Sequence, residues 1–304
     1  MFAKTQQLLE KAQRGAYAVG HFNINNMEIV QGVVQAAVKL KSPVILATSE
    51  GAIQYAGIQF LYNLAYTASE LAKVPIALHL DHGKNIEIIR QAIQLGYSSV
   101  MIDASHEEFE KNIQLTKSVV QVAHRRGISV EAELGTIGGA EDTVSSRKIL
   151  YTDPEKAQEF VERTGCDFLA IAIGTSHGAY KFAGKSFLRQ DLLLEIKKRV
   201  KIPLVLHGAS GVSPSLVQQA QNYGANLSGV HGVSDIQLTK AIQSGITKIN
   251  TDTDIRIAFD AAVRKVIRTQ PKDFDPRHIL GPARDLIQHV AEQRMRLFGS
   301  VGKA

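Results

Sequence analysis

Three histidines in this sequence each stand at or just beyond the end of a short apolar run, next to carboxylates or small polar residues. His82 directly follows the run IALHLD, which ends in Asp81; His177 lies in Gly174-Thr175-Ser176-His177-Gly178; and His207 opens His207-Gly208-Ala209-Ser210-Gly211. Three further runs end in Asp103-Ala104-Ser105, Glu131-Ala132-Glu133 and Asn250-Thr251-Asp252-Thr253. Three imidazoles from separate strands, with carboxylates close by, make a catalytic zinc site that keeps one coordination position for substrate. Iron, cobalt or nickel suits the same ligands. Any one of these histidines taken alone reads equally well as a satisfied polar residue, but three at strand ends point to a metal. The other histidines are set apart. His124, His278 and His289 lie in helical patterns, His79 lies inside a strand, and His21, His106 and His231 match no constellation, so none is assigned to metal.

Residues this far apart in sequence meet only if the elements carrying them are arranged around one axis. Apolar runs rich in Val and Ile recur about every thirty residues, each followed by a small or polar turn and a longer helical pattern. The runs are YAVGHFNI, PVILATS, IALHLD, SVMIDAS, SVEAELG, FLAIAIG, LVLHGAS and ITKINTDT. Gly96, Gly127, Gly165 and Gly245 stand where the intervening helices should stop. Eight such βα units predict an α/β fold, a closed (β/α)8 TIM barrel whose catalytic groups gather at the C-terminal ends of the strands. An amphipathic N-terminal helix precedes it and a C-terminal helical extension, from about Pro282 to Leu297, follows. No Pro- or Ser-rich linker divides the chain, so residues 1–304 are expected to form one domain. Two stretches exceed what connectors need, GGAEDTVSSRKILYTD and NLSGVHGVSD, and long loops in compact domains are often functional.

In barrels of this kind the loops after the seventh and eighth strands commonly cradle phosphate through backbone N–H groups. Here they are Gly208-Ala209-Ser210-Gly211 and Asn250-Thr251-Asp252-Thr253. Lys181, one helical turn beyond His177, and Arg256, in the helix after the last strand, could add positive charge, though either could equally be a solvated surface residue.

Composition narrows the partners. The chain carries a net charge of +6, with 44% hydrophobic and 21% charged residues. Its basic residues are scattered over helical patterns and never interleaved with aromatics, which argues against a nucleic-acid groove and leaves anionic small molecules compatible. The positive charge predicts a kcat/KM for a polyanionic substrate that falls as salt rises; a flat profile would refute it. No apolar run is long enough to span a bilayer. The N-terminus lacks the charged start, apolar middle and cleavage site of a secretory signal, so a cytoplasmic location is expected. The one cysteine, Cys166, has no intramolecular disulfide partner and is expected to be a small buried residue.

Together, LDHG (80–83), EAELG (131–135), AIGTSHG (172–178), LHGASG (206–211) and KINTDTDIRIAF (248–259) resemble the class II fructose-bisphosphate aldolases over essentially the whole chain. The resemblance implies zinc at His82, His177 and His207, a monovalent cation (Na+ or K+) near the phosphate loops, and a homodimer or homotetramer. It implies reversible cleavage of fructose 1,6-bisphosphate into dihydroxyacetone phosphate and glyceraldehyde 3-phosphate through a zinc-stabilised enediolate, in glycolysis and gluconeogenesis. Asp81 matches the family's proton carrier for the C4 hydroxyl, and Glu141 a mobile-loop acid/base that exchanges the C3 proton. Ala140 stands where some members carry a second glutamate. Asp103 and Glu133 match positions for an alternative or second metal; Asn250 and Asp252 match contacts to substrate hydroxyls. Gly178, Gly208 and Ser210 would line the C1-phosphate pocket, with Ala209, Thr251 and Thr253 in the same loops and Asn23 and Ser49 as further contacts. Arg256 would reach the C6 phosphate, in its own or a neighbouring subunit. The NTDTDIR segment looks like the fructose-bisphosphate branch rather than the tagatose-bisphosphate branch. A Schiff-base aldolase would need a lysine at a strand end, and Lys248 lies inside the last strand. The same residues are also compatible with a zinc hydrolase or with a barrel that binds phosphosugar without turnover.

Overall fold

The computed structural model describes residues 1–141, 144–146, 149–177 and 187–304, and the side chains of these except 138–141, 144–146 and 177. Among them the strands are β1 (Val19–Asn23), β2 (Val44–Ser49), β3 (Ile76–Gly83), β4 (Ser99–Ile102), β5 (Ser129–Leu134), β6 (Gly138–Glu141), β7 (Val144–Ser146), β8 (Phe168–Ile171), β9 (Ser176–His177), β10 (Leu204–Leu206) and β11 (Ile246–Thr251). The helices are α1 (Thr5–Arg14), α2 (Met27–Leu40), α3 (Glu50–Ala56), α4 (Ile58–Leu71), α5 (Ile86–Leu95), α6 (Phe109–His124), α7 (Pro154–Thr164), α8 (Gln190–Arg199), α9 (Pro214–Asn222), α10 (Asp235–Gln243), α11 (Thr253–Thr269) and α12 (Pro276–Leu297).

Eight parallel strands close into a barrel in the order β1-β11-β10-β8-β5-β4-β3-β2, the architecture of a (β/α)8 TIM barrel. Each apolar run named from sequence supplies one of them. Local signals bound the helices between: Asp153 accepts from the N–H groups of Glu155 and Lys156 to open α7, Pro154 sits in its first turn, and Gly165 at φ 70° ends it.

Side chains along each barrel strand alternate between two environments. One set, including Phe22, Leu46, Leu78, Val100, Val130 and Leu169, packs outward under the helices as the main core. The other set points to the barrel axis. At the N-terminal end it is apolar, with Val19, Ile45, Ala77, Phe168 and Val205 meeting Leu8, Leu9 and Ala12 of α1. The amphipathic helix expected at the N-terminus therefore closes the bottom of the barrel, each leucine it buries there contributing about 1.5–3 kcal/mol. Two residues further along β1, β3 and β10 the inward positions turn polar, at His21, His79 and His207, while Ala47 and Ala170 leave room beside them.

Two boundaries differ from the sequence expectation. The last helix begins at Pro276, capped by Asp275, and carries Pro282 in its interior rather than at its start. It packs on α2 and α11, with Gly32 of α2 so close that a Cβ there would lie 2.7 Å from the Arg284 carbonyl oxygen. The stretch after β5, expected as a long loop, contains β6 and β7, which pair antiparallel, and β6 also pairs with β9. Backbone pairing thus sets Gly139 opposite His177.

Candidate active site

The inward polar residues form a continuous cluster from the middle of the barrel to its C-terminal mouth. β1 contributes His21 and Asn23, β3 His79 and Asp81, β5 Glu131 and Glu133, and β11 Lys248; Asn250 follows on the same strand, and Asp103 and His207 come just after β4 and β10. All are under 9% exposed. His82 immediately follows inward-facing Asp81, so simple alternation would turn it outward. Its φ of 46° instead puts it in the left-handed region, at a cost of about 1–3 kcal/mol, and returns its ring to the cluster.

Asp81 is held from two sides. Asn23 Nδ2 donates to its Oδ2 at 2.9 Å and Asn250 Nδ2 to its Oδ1 at 3.1 Å, while His21 Nε2 lies 3.6 Å from Oδ2. Burial alone would raise the Asp81 carboxyl; the surrounding imidazoles of His21, His82 and His207 outweigh it and hold the group well below the usual carboxylate range.

The His82 and His207 rings meet edge to face, with His207 Nδ1 2.8 Å from His82 Nε2. Each ring's other nitrogen faces a carboxylate: His82 Nδ1 lies 3.0 Å from Asp103 Oδ2, and His207 Nε2 lies 2.6 Å from Glu131 Oε1. An ionised carboxylate only accepts, so both outer nitrogens carry protons. His207 Nδ1 then holds a lone pair and accepts from His82 Nε2. Burial disfavours a charged His82, but Asp81, then Asp103 and Glu133, outweigh it and lift the imidazole to about 10. Asp103 also accepts from Ser105 Oγ at 2.8 Å, and although burial opposes ionisation, these donors hold it below its ordinary range. Glu133 goes the other way: burial, then the Asp103 charge, pushes it well above the usual carboxylate range, and its Oε2 has no hydrogen-bond partner among the described residues.

Two groups at the mouth have ligand atoms close enough together for an ion, Asp81 with His82 and His207, and His82 with Asp103 and Glu133. The donor chemistry fits a metal. Two imidazole nitrogens face each other, each ring is oriented by a carboxylate on its far side as metal-binding histidines usually are, and Glu133 offers an unmatched oxygen. A third such group, His21, His79 and Asp81, lies deeper. Burial, then Lys248, lowers both of its imidazoles, and His79 Nδ1 is 2.8 Å from Ser99 Oγ.

The two loops expected to cradle phosphate are joined. The Asp252 N–H donates to Ser210 Oγ, and the Val233 N–H to the Ser210 carbonyl. Asp254 accepts from the N–H groups of Gly211 at 2.9 Å and Val212 at 2.7 Å, which engages the Gly211 amide away from any ligand. Gly208, Ala209 and Ser210 follow His207 beyond the end of β10, and Thr251 ends β11. Thr253 opens α11 beside them, with Asp252 immediately before it. Arg256 pairs with Asp252 at 2.7 Å and lines a cleft with Asn25, Asn26, Gly51, Tyr55 and Phe259. Ser49 ends β2 and caps α3 by accepting from the Ala52 N–H. Gly178 and Lys181, and the side chains of His177 and Glu141, lie outside the described residues.

Sequence reasoning passed over four members of this cluster: Glu131, His21, His79 and Lys248. Alternation was the available signal, because each lies two residues along its strand from a residue that was singled out.

A family model described as fructose-bisphosphate aldolase class-II matches residues 3–303. The chain is 50% identical over 300 residues to a fructose-bisphosphate aldolase of Thermus caldophilus, covering 98% of each chain. It is 47% identical over 302 residues to one of Giardia intestinalis, covering 98% of this chain and 93% of that one. Among solved structures, the YdjI aldolase of Escherichia coli K12 matches with a TM-score of 0.83 at 36% identity over 100% of both chains. A putative fructose-1,6-biphosphate aldolase of Coccidioides immitis matches with a TM-score of 0.82 at 31% identity, over 99% of this chain and 97% of that one.

Proposed function

This chain belongs to the class II fructose-bisphosphate aldolase family, and from that premise we propose that its barrel mouth is a zinc centre that cleaves fructose 1,6-bisphosphate reversibly into dihydroxyacetone phosphate and glyceraldehyde 3-phosphate. The observation that carries the assignment of the site is Asp81 braced by two amides beside His82 and His207, whose facing nitrogens are 2.8 Å apart. His82 and His207 would hold the ion with His177 as the third ligand, and Asp103 and Glu133 would serve an alternative position. When bound, zinc supplies Lewis-acid polarisation of the substrate carbonyl.

The chain's own residues account for the remaining work. Asp81, ionised and fixed in direction, takes the C4 hydroxyl proton as the C3–C4 bond breaks and returns it to the aldehyde in condensation. Asn23 and Asn250 hold that carboxylate in line. Glu141 exchanges the proton at C3. Gly208, Ala209 and Ser210 present backbone groups to the C1 phosphate with Gly178 and Lys181, and the N-terminal turn of α11, including Thr253, adds its positive end. Ser49 and Thr251 complete the walls, Asp252 meets a substrate hydroxyl, and Arg256 reaches the C6 phosphate. A monovalent cation beside the two loops belongs to the same assignment.

The 304 residues act as one domain, in glycolysis and gluconeogenesis in the cytoplasm; no helix among the described residues is long and apolar enough to cross a membrane. A homodimer or homotetramer is supported by Tyr55, Phe60 and Leu71, each more than 70% exposed on α3 and α4, as apolar cover for a partner subunit.

Coupled assays with fructose 1,6-bisphosphate and tagatose 1,6-bisphosphate, before and after EDTA and after zinc is added back, test the proposal. Loss with EDTA and rescue by zinc, with the fructose substrate preferred, is expected. A tagatose preference would keep the chemistry and change the substrate. Activity indifferent to chelation would replace the metal centre with Schiff-base chemistry, and no turnover with zinc present would leave a binding protein or a hydrolase.

A further inference from the structure

Lys248 is completely buried in β11, an unusual place for a lysine. Its ammonium group lies 2.9 Å from Glu131 Oε2 and 3.2 Å from Oε1, and donates to Asn250 Oδ1 at 2.9 Å. Both of its contacts lead directly to the mouth. Glu131 Oε1 is 2.6 Å from His207 Nε2, and Asn250 Nδ2 donates to Asp81 Oδ1.

We infer that Lys248 is a positioning residue that sets the hydrogen-bond direction of both branches, the tautomer of His207 on one side and the amide orientation of Asn250 on the other. An ammonium group only donates. Asn250 must therefore turn its oxygen toward Lys248, which leaves its amide nitrogen facing Asp81. Glu131, held in place by the same cation, offers Oε1 as an acceptor, so the His207 proton sits on Nε2 and the lone pair on Nδ1 faces His82. Reversing either branch would present the wrong atom, a proton where a ligand is needed or an amide oxygen against the Asp81 carboxylate.

Stability alone does not explain this arrangement. A buried ion pair replaced by apolar side chains of similar volume often leaves a protein equally or more stable. The adjoining layer of the barrel interior is apolar, with Val19, Phe168 and Val205, so an apolar pair could extend that packing. The role of the cation lies in what its two contacts orient.

The inference rests on the mouth being the metal centre proposed above, and its test separates the two. In 15N-histidine-labelled protein after chelation, long-range 1H–15N spectra report which nitrogen of His207 bears the proton, with His207→Asn identifying the signals. Wild type is expected to show His207 protonated at Nε2 alone. Lys248→Met, and Glu131→Gln as a near-isosteric second variant should the first fail to fold, are expected to show a mixture of tautomers. Zinc affinity, measured by competition with a chromophoric chelator, should fall about 10–100-fold in both, and kcat should fall more than KM rises. Folded variants with a single Nε2–H tautomer and zinc affinity within about twofold of wild type would overturn the inference. If wild type binds no zinc, the proposed metal centre fails, and the tautomer spectra alone decide the role of Lys248.

Discussion

Asp81 sits between two amides, and the strength of that bracket is measurable one residue at a time. Replacing Asn23 or Asn250 with Ala removes one of the two donors and lets the carboxylate rotate. A catalytic group displaced by about 1 Å can lose on the order of 10²-fold in rate, so kcat should fall by that order in steady-state assays. Unchanged kcat in both variants would remove the bracket from the mechanism. Cys166 makes a contrasting case, a reactive residue type in an inert setting. Burial pushes its thiol up from 9.0 to about 12. The native thiol should resist a disulfide reagent until the chain unfolds. Because the folded value is the higher one, the unfolded chain sheds this proton first, and the group's contribution should lower stability as pH rises from about 9 toward 12. Rapid labelling of the native protein would contradict its burial. Candidate ligands were legible because residue type and position at a strand end carry chemical meaning, the buried cysteine because it borders an apolar run, and Asp81 as a candidate proton carrier through the family resemblance. The roles of Lys248 and Glu131 were not, because alternation turns both inward but only the closed fold shows what lies across the barrel from each.

At the level of elements, the eight strands were legible because apolar runs and turn residues are local signals. The returning ring of His82 was not, since a left-handed φ at a non-glycine residue is imposed by its surroundings rather than by its own preference. The start of α12 was misjudged for a related reason. Proline is favoured in a first turn, and the sequence offers both Pro276 and Pro282 there; the Asp275 cap selects the earlier. One element-scale contact bears on the loop proposed to hold phosphate. Asp254, in the first turn of α11, accepts two N–H groups from the loop after β10. Asp254→Ala leaves both amides without their acceptor. It should destabilise the fold by roughly 2–3 kcal/mol in denaturant titrations, and raise KM for phosphorylated substrates more than it lowers kcat. Equal KM values would mean that the loop keeps its shape without the clamp.

Across the whole molecule, closure of the sheet makes the site a property of the fold. Ligand candidates separated by 125 positions, His82 and His207, touch because their strands end on the same rim. Among the described residues, that rim is the polar end of the barrel interior. Leu8, Leu9 and Ala12 of α1 seal the opposite end against Val19, Ile45 and Phe168. Anything that reaches the centre must leave by the door it entered. Traffic through one doorway is ordered, so an occupant near the threshold detains whatever lies deeper. A phosphosugar resting on the loops after β10 and β11 should therefore slow the escape of a bound ion: zinc loss to excess EDTA, followed by stopped-flow, should become slower as substrate analogue is added and level off once the doorway is filled.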